Sequence, residues 1–206
     1  MKKSFRQIAS TASLALCLLL PGIASAKVSE QTLQNLNAAF QGESNAANRY
    51  AKFAEKATAE GHAQVARLFR AASAAEAIHR DTHKAAITEL GGTLKPFELD
   101  AVTPGATADN LKAAIKGEIH ERDTMYPEFL TVAQADDAPA AIRTIRFALA
   151  AEKEHATLYQ EALDNLGKNA KVDYYVCQIC GMTVTTLPEK KCRSCRQSPD
   201  KYKMIN

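Results

Sequence analysis

Ala74-Ala75-Glu76-Ala77-Ile78-His79 and, further along, Phe147-Ala148-Leu149-Ala150-Ala151-Glu152-Lys153-Glu154-His155 carry the same Glu-x-x-His unit in two separate helix-forming stretches. In a helix, residues three apart lie about 60° apart around the axis and about 4.5 Å apart along it, so one Glu and one His at that spacing can grip a single metal ion. Both glutamates sit among apolar neighbours. A carboxylate in such surroundings is costly to bury without a counter-charge, and a metal supplies one. Glu43 and the pair Glu118/Glu121 add acidic positions from two more helical stretches. One Glu-x-x-His on an alanine-rich helix would read as solvated charge. Two of them, with carboxylates from two further helices, read as a carboxylate-bridged two-metal centre inside a four-helix bundle. Oxygen-rich ligation with one imidazole per metal suits iron or manganese better than structural zinc.

Working outward, the chain from Ser29 to about Gly167 is rich in Ala, Glu, Lys, Leu and Arg and has no Trp, which is helical composition. The expected helices cover roughly 29–60, 62–91, 107–133 and 138–166. Gly61, Gly91-Gly92 and Gly167 mark their ends, Thr107 and Asp109 are N-cap candidates, and Asp136-Asp137 precede Pro139. The longer gap from Gly91 to Ala106, with Pro96, Pro104 and Gly105, serves as the bundle's crossover. Pro127 falls inside the third helix and is expected to bend or interrupt it. Glu154, His120 and Glu161 are set outside the ligand set. Glu154 points across its helix from Glu152, and His120 lies off the Glu118/Glu121 stripe. His62 and His83 are expected at the surface or behind the ligands.

Residues 1–26 read as a Sec-type signal peptide: Lys2, Lys3 and Arg6 precede an apolar run from Leu14 to Leu20, followed by Ala24-Ser25-Ala26 as the cleavage site. The expected domains are therefore 1–26 as signal peptide, 27–167 as the helical domain and 173–206 as a small second unit. Removing the first 26 residues takes away three basic and no acidic groups, so the formal net charge falls from +3 to zero. A neutral chain gives no reason to expect a nucleic-acid or anionic-membrane partner. No stretch approaches the ~20 apolar residues of a membrane helix, so no membrane insertion is expected after cleavage. The expected location is the periplasm, or the extracellular space where the source has no outer membrane.

Cys177-x-x-Cys180 and Cys192-x-x-Cys195 lie within the last 34 residues, and two such pairs separated by eleven residues enclose one tetrahedral metal. A unit this short cannot bury enough apolar surface to fold alone and needs that metal. Tyr174, Tyr175, Val176, Val184 and Thr185 are its expected strand positions. Iron would make it a one-electron carrier, whereas zinc would make it structural.

The stretch Gly42-Glu43-Ser44-Asn45-Ala46-Ala47-Asn48-Arg49-Tyr50, the unit Glu76 to His79, the run Gly117-Glu118-Ile119-His120-Glu121 continuing to Met125-Tyr126-Pro127-Glu128-Phe129, the unit Glu152 to His155 and the two cysteine knuckles together resemble the rubrerythrin family. The resemblance covers essentially the whole chain after residue 26. It implies an all-α fold, a ferritin-like four-helix bundle followed by a small rubredoxin-like metal module with four cysteine ligands. By resemblance, Glu43, Glu76, Glu118, Glu121, Glu152 and His155 ligate two iron ions, and His79 replaces Glu121 on one iron when the site is reduced. Tyr50 and Tyr126 match the family's tyrosines that hydrogen-bond to carboxylate ligands. Cys177, Cys180, Cys192 and Cys195 would hold one further iron, with zinc as the alternative. The implied activity is reduction of hydrogen peroxide to water, fed by an unidentified electron donor. The implied assembly is a homodimer in which one subunit's cysteine module serves the other's bundle. The sequence departs from the family at Arg193 and Arg196, where Pro and a small residue are usual, and this bears on the N–H to sulfur bonds of the second knuckle. The rival expectation is a ferritin-like iron-binding ferroxidase whose cysteine module holds structural zinc.

Overall fold

Alanine stripes interrupted by a few large side chains decide how the helices meet. The computed structural model describes residues 28–206, and the expected signal peptide lies outside the described residues. Four long rods form the bundle: α1 (Glu30–Ala59), α2 (Ala63–Glu89), a third rod made of α3 (Thr107–His120) and α4 (Tyr126–Ala135) joined by a π-helical turn (Glu121–Met125), and α5 (Pro139–Asp164). Ala39, Ala57, Ala66, Ala72, Ala75, Ala141, Ala148 and Ala151 are all fully buried. Side chains this small let the helices approach closely, leaving Tyr50, Phe53, Phe69 and Tyr159 to fill one end and Leu36, Ile87, Tyr126 and Ile145 the other. The two apolar clusters leave a polar layer between them.

The ends of the helices are tied by side chains. Ser29 caps α1 by accepting from the Thr32 amide, while Asp136 accepts from the Ser29 amide at 2.9 Å and from the Thr32 hydroxyl at 2.6 Å. Glu60 accepts from the Thr107 amide at 2.8 Å and its hydroxyl at 2.6 Å, binding the end of α1 to the start of α3. The crossover between α2 and α3 runs along α1, held by Asn37 to Thr93 and Lys95 and by Asn45 to Asp100.

Pro127 shows why the third rod changes pitch. It has no N–H to give and sits in the first turn of α4, where none is required. Just before it the Tyr126 amide reaches back five residues to the Glu121 carbonyl. Such a turn absorbs one extra residue. Tyr126, eight residues after Glu118, would otherwise lie about 80° round the helix; it behaves as though seven residues on, within about 20° of the Glu118 stripe, and both face the interior.

Beyond the bundle, β1 (Tyr174–Cys177) lies between β2 (Thr183–Val184) and β3 (Tyr202–Ile205) in an antiparallel sheet of order β2-β1-β3. Tyr174, Tyr175, Val176 and Val184 are strand residues as expected; Thr185 falls just past β2, and β3 is an addition. The small unit packs on the bundle. Tyr174 and Val176 join the Tyr50 cluster, and Phe147 and Ala150 of α5 pack against Cys177, Cys180, Met182 and Cys192. Gln64 donates to the Val172 carbonyl, Arg67 pairs with Asp173 at 2.6 Å, and Arg70 donates to the Asn206 carbonyl at 2.6 Å.

Candidate metal centre

In the polar layer Glu43 comes from α1, Glu76 and His79 from α2, Glu118 from α3, and Glu152 and His155 from α5. All six are at most 1% exposed. Their donor atoms form two groups, Glu43/Glu76/His79/Glu152 and Glu76/Glu118/Glu152/His155, each with its atoms within 4.8 Å of one another. Glu76 and Glu152 belong to both groups, as bridging carboxylates must. His79 Nδ1 lies 2.9 Å from Glu76, 3.2 Å from Glu152 and 3.6 Å from Glu43; His155 Nδ1 lies 2.9 Å from Glu152 and 3.1 Å from Glu76.

The far nitrogens fix the imidazole tautomers. His79 Nε2 is 3.1 Å from the Cys180 carbonyl, which can only accept, so this nitrogen carries the proton. His155 Nε2 is 2.9 Å from Thr183 Oγ1, whose own hydrogen points to the Gly181 carbonyl, so it donates as well. In the neutral imidazoles each Nδ1 therefore has its lone pair directed at the carboxylates, and a metal binding there takes that lone pair as the Nδ1 proton leaves.

Burial and mutual repulsion push the Glu43 and Glu118 carboxyls well above the ordinary range, Glu43 beside the charges of Glu76 and Glu121, Glu118 beside those of Glu152 and Glu76. Burial works against ionised Glu152 too, but hydrogen bonds with His155 and His79 outweigh it and hold its pKa down. The His155 imidazole, despite burial, is raised to about 10 by the charge of Glu76 and its bonds with Glu152 and Glu76. Glu43 Oε2 is buried without a hydrogen-bond partner, and Glu76 Oε1 and Glu152 Oε1 are buried with only an imidazole Nδ1 beside them, at 3.1 and 3.2 Å. Under-satisfied carboxylate oxygens converging beside two imidazole Nδ1 atoms are what a pair of hard or borderline cations requires.

Tyr50 donates to Glu118 Oε1 at 2.5 Å and Tyr126 donates to Glu43 Oε1. Of the two residues expected to alternate at one metal, the structure places His79 in a group and Glu121 outside both. Glu121 opens the widened π turn and is only partly buried. His83 is fully buried behind the ligands, 3.1 Å from the Tyr126 hydroxyl, with Thr144 at 3.2 Å on its other nitrogen. Burial, together with the proximity of His79, lowers its pKa to about 3, so it stays neutral. His120 and Glu161 are exposed, His62 occupies the residue before α2 without a side-chain cap bond, and Glu154 pairs with Arg193. Sequence reasoning missed Thr183 and Gly181, whose contacts with the two histidines depend on the folded chain.

The four cysteines converge as a second centre. They are unbridged, with Cys177 Sγ 3.7 Å from Cys195 Sγ and Cys180 Sγ 3.7 Å from Cys192 Sγ. A tetrahedron with metal–sulfur bonds of about 2.3 Å has edges near 3.8 Å, so the donor set fits one metal. Hydrogen bonding from Cys180 and the Ile179 and Cys180 amides lowers the Cys177 thiol to about 5. Despite Arg193 and Arg196, the second knuckle retains the Gln197 amide on Cys195, and the Tyr202 hydroxyl donates to Cys192 at 3.1 Å.

Bundle, crossover and paired Glu-x-x-His units define a ferritin-like carboxylate protein carrying a separate tetrathiolate site. Bacterioferritin of Mycobacterium tuberculosis shares the bundle at a TM-score of 0.62 and 18% identity, over 67% of this chain and 87% of that one, a likeness of fold alone. A model of the Rubrerythrin family matches residues 34–163, and the chain belongs to the rubrerythrin family. It is 34% identical to rubrerythrin-2 of Clostridium acetobutylicum over 83% of this chain and 95% of that one. It is 33% identical to nigerythrin of Nitratidesulfovibrio vulgaris, over 83% and 85% respectively. A structure of nigerythrin in a mixed-valence state superposes at a TM-score of 0.78 and 31% identity, covering 89% of this chain and 90% of that one.

Proposed function

We propose that this chain is a non-haem di-iron peroxidase, which reduces hydrogen peroxide to two waters with two protons and two electrons drawn through the cysteine module. The observation that carries the reading is the direct contact between the two centres: His79 belongs to the carboxylate cluster and donates to the carbonyl of Cys180, a thiol of the other centre. Iron at both centres fits the donor sets, and two irons in the bundle would supply the electron pair that the O–O bond takes as it breaks. The carboxylates are suited to the accompanying proton traffic. Burial and the neighbouring carboxylates raise the proton affinity of Glu43 and Glu118. Tyr50 and Tyr126 orient these two side chains and limit their swing, and the apolar clusters on either side exclude bulk water.

The expected homodimer and export through Sec belong to the same proposal. A head-to-tail dimer would exchange modules through residues 168–173 and could reuse the contacts made here within one chain. Outside the inner membrane cytosolic nicotinamide is no donor, so a separate redox protein has to feed the cysteine site.

The test is Cys192→Ser. Steady-state peroxide reduction should be lost, while bundle iron reduced chemically beforehand should still complete one turnover when mixed with stoichiometric peroxide in a stopped flow. Absence of that turnover with bundle iron intact contradicts the proposal. Zinc in the cysteine site of protein purified from its own compartment supports the ferroxidase rival instead.

A further inference from the structure

The second knuckle combines an accessible sulfur with a concentration of positive charge. Cys177, Cys180 and Cys192 are completely buried; Cys195 alone of the four reaches solvent. Between Pro188 and Arg196 the chain carries Lys190, Lys191, Arg193 and Arg196 against Glu189, a local excess of three positive charges in a chain that is neutral from residue 27 onward. Lys190, Lys191, Arg196 and Glu189 line one shallow concavity at this edge. A second concavity, which Arg193 and Ser194 of the same knuckle help to line, holds Arg143 and Arg146 together with apolar Ile142 and Phe147. Arg193 and Arg143 are engaged by Glu154 and Glu89, whereas Lys190, Lys191, Arg196 and Arg146 have no carboxylate within 4.0 Å among the described residues.

Arg196 adds an independent observation. The residue after the first Cys-x-x-Cys is Gly181 at φ +74°, and the matching residue after the second is Arg196 at φ +64°. This left-handed conformation is natural for glycine and strained for arginine. The fold thus keeps a cation beside the exposed sulfur at a position where glycine would be more stable.

We propose that this face is the docking site of an acidic one-electron carrier protein, a reading that rests on the electron-relay role assigned above. Each encounter passes one electron from the carrier, oxidised by one, to the cysteine-held iron, which goes from ferric to ferrous. Two encounters supply the pair that one peroxide consumes. Apolar Ile142 and Phe147 give the carrier a dry contact, while the cationic side chains steer its approach and select against basic proteins.

Binding can be read without turnover by loading the cysteine site with zinc and titrating flavodoxin, an acidic one-electron flavoprotein, by flavin fluorescence. Affinity should weaken about tenfold between about 20 and about 300 mM salt, as screening predicts. The triple variant Lys190→Glu/Lys191→Glu/Arg196→Gly should bind about tenfold more weakly at low salt and lose most of the salt dependence. Its fold is checked by stoichiometric zinc uptake, and Arg196→Gly alone should raise module stability by relieving the backbone. Equal flavodoxin affinity in the triple variant, equally tight binding of basic cytochrome c by the unmodified chain, or preferential capture by anionic phospholipid vesicles would each overturn the proposal. Salt-sensitive flavodoxin binding without peroxide turnover would leave the docking face standing and remove the peroxidase reading; turnover with charge-independent binding would do the reverse.

Discussion

Gly181→Ala probes the contact on which the proposed relay between the centres depends. A Cβ built at Gly181 would lie 2.6 Å from His79 Cδ2 and 3.0 Å from Cε1. Carbon contacts relax at about 3.5 Å, so either the ring or the module must retreat by about 1 Å. The ring cannot readily yield: it is completely buried and its Nδ1 lies 2.9 Å from Glu76 and 3.2 Å from Glu152. The module therefore lifts, and the bond from His79 Nε2 to the Cys180 carbonyl, 3.1 Å long, passes the ~3.5 Å limit of a useful hydrogen bond.

Two costs follow, and they separate cleanly. Alanine at φ +74° costs about 1–2 kcal/mol in backbone strain whether or not the module is docked. The lost buried hydrogen bond costs about 1–3 kcal/mol more and falls on docking alone, a shift of about 5- to 150-fold in the docked population. Gly167→Ala is the control, with φ +85° and nothing within 4 Å of its new methyl group. Guanidinium denaturation of both variants, with the rate at which a pre-reduced cysteine site reduces bundle iron, gives the comparison. Gly181→Ala should be the less stable by the docking cost and the slower in transfer. If the two variants match in both readouts, the module does not hold the bundle through His79.

Glu152→Ala removes a carboxylate shared by both metal groups, and metal analysis should find the bundle iron lost while the cysteine site stays filled; retention of two bundle irons would contradict the bridging assignment. Glu60, whose hydrogen bonds with Thr107 and Lys56 lower its pKa to about 2, contributes stability that is fully present above its unfolded value near 4.5 and is lost as pH falls through about 2. Glu60→Gln should accordingly melt below the unmodified protein at pH 6, with the gap closing toward pH 2; a gap that grows on acidification would mean that Glu60 acts in its protonated form.

What could be read from the chain was whatever repeats at helical spacing. Glu76 and His79 are three residues apart on a rigid rod, as are Glu152 and His155, so neither pair needs tertiary structure to be recognised. Cys177 and Cys180, followed by Cys192 and Cys195, announce their metal in the same local way. Glu121 was read at the same three-residue spacing from Glu118; it opens a change of pitch that the sequence does not announce. Pro127 forecasts a disturbance in the third rod, but its form, a π turn after Glu121 that brings Tyr126 onto the interior face, is not written in the local spacing. The last strand, Tyr202 to Ile205, has no fully buried residue and leaves almost no hydrophobic pattern to read.

The contacts between the domains were hidden for a different reason. His79 is separated from Cys180 by 101 residues, and Arg193 from Glu154 by 39, and nothing in the intervening sequence states that they meet. The substitutions that look like departures acquire meaning only with those contacts in place. Arg193, where proline is usual, reaches across to α5 and anchors the second knuckle to the helix that carries Glu152 and His155. Gly181 is required twice, once by its positive φ and once by the absence of room beside His79, and the second requirement is what lets the cysteine centre lie against the carboxylate centre. A longer side chain there would leave every metal ligand intact and still part the two sites.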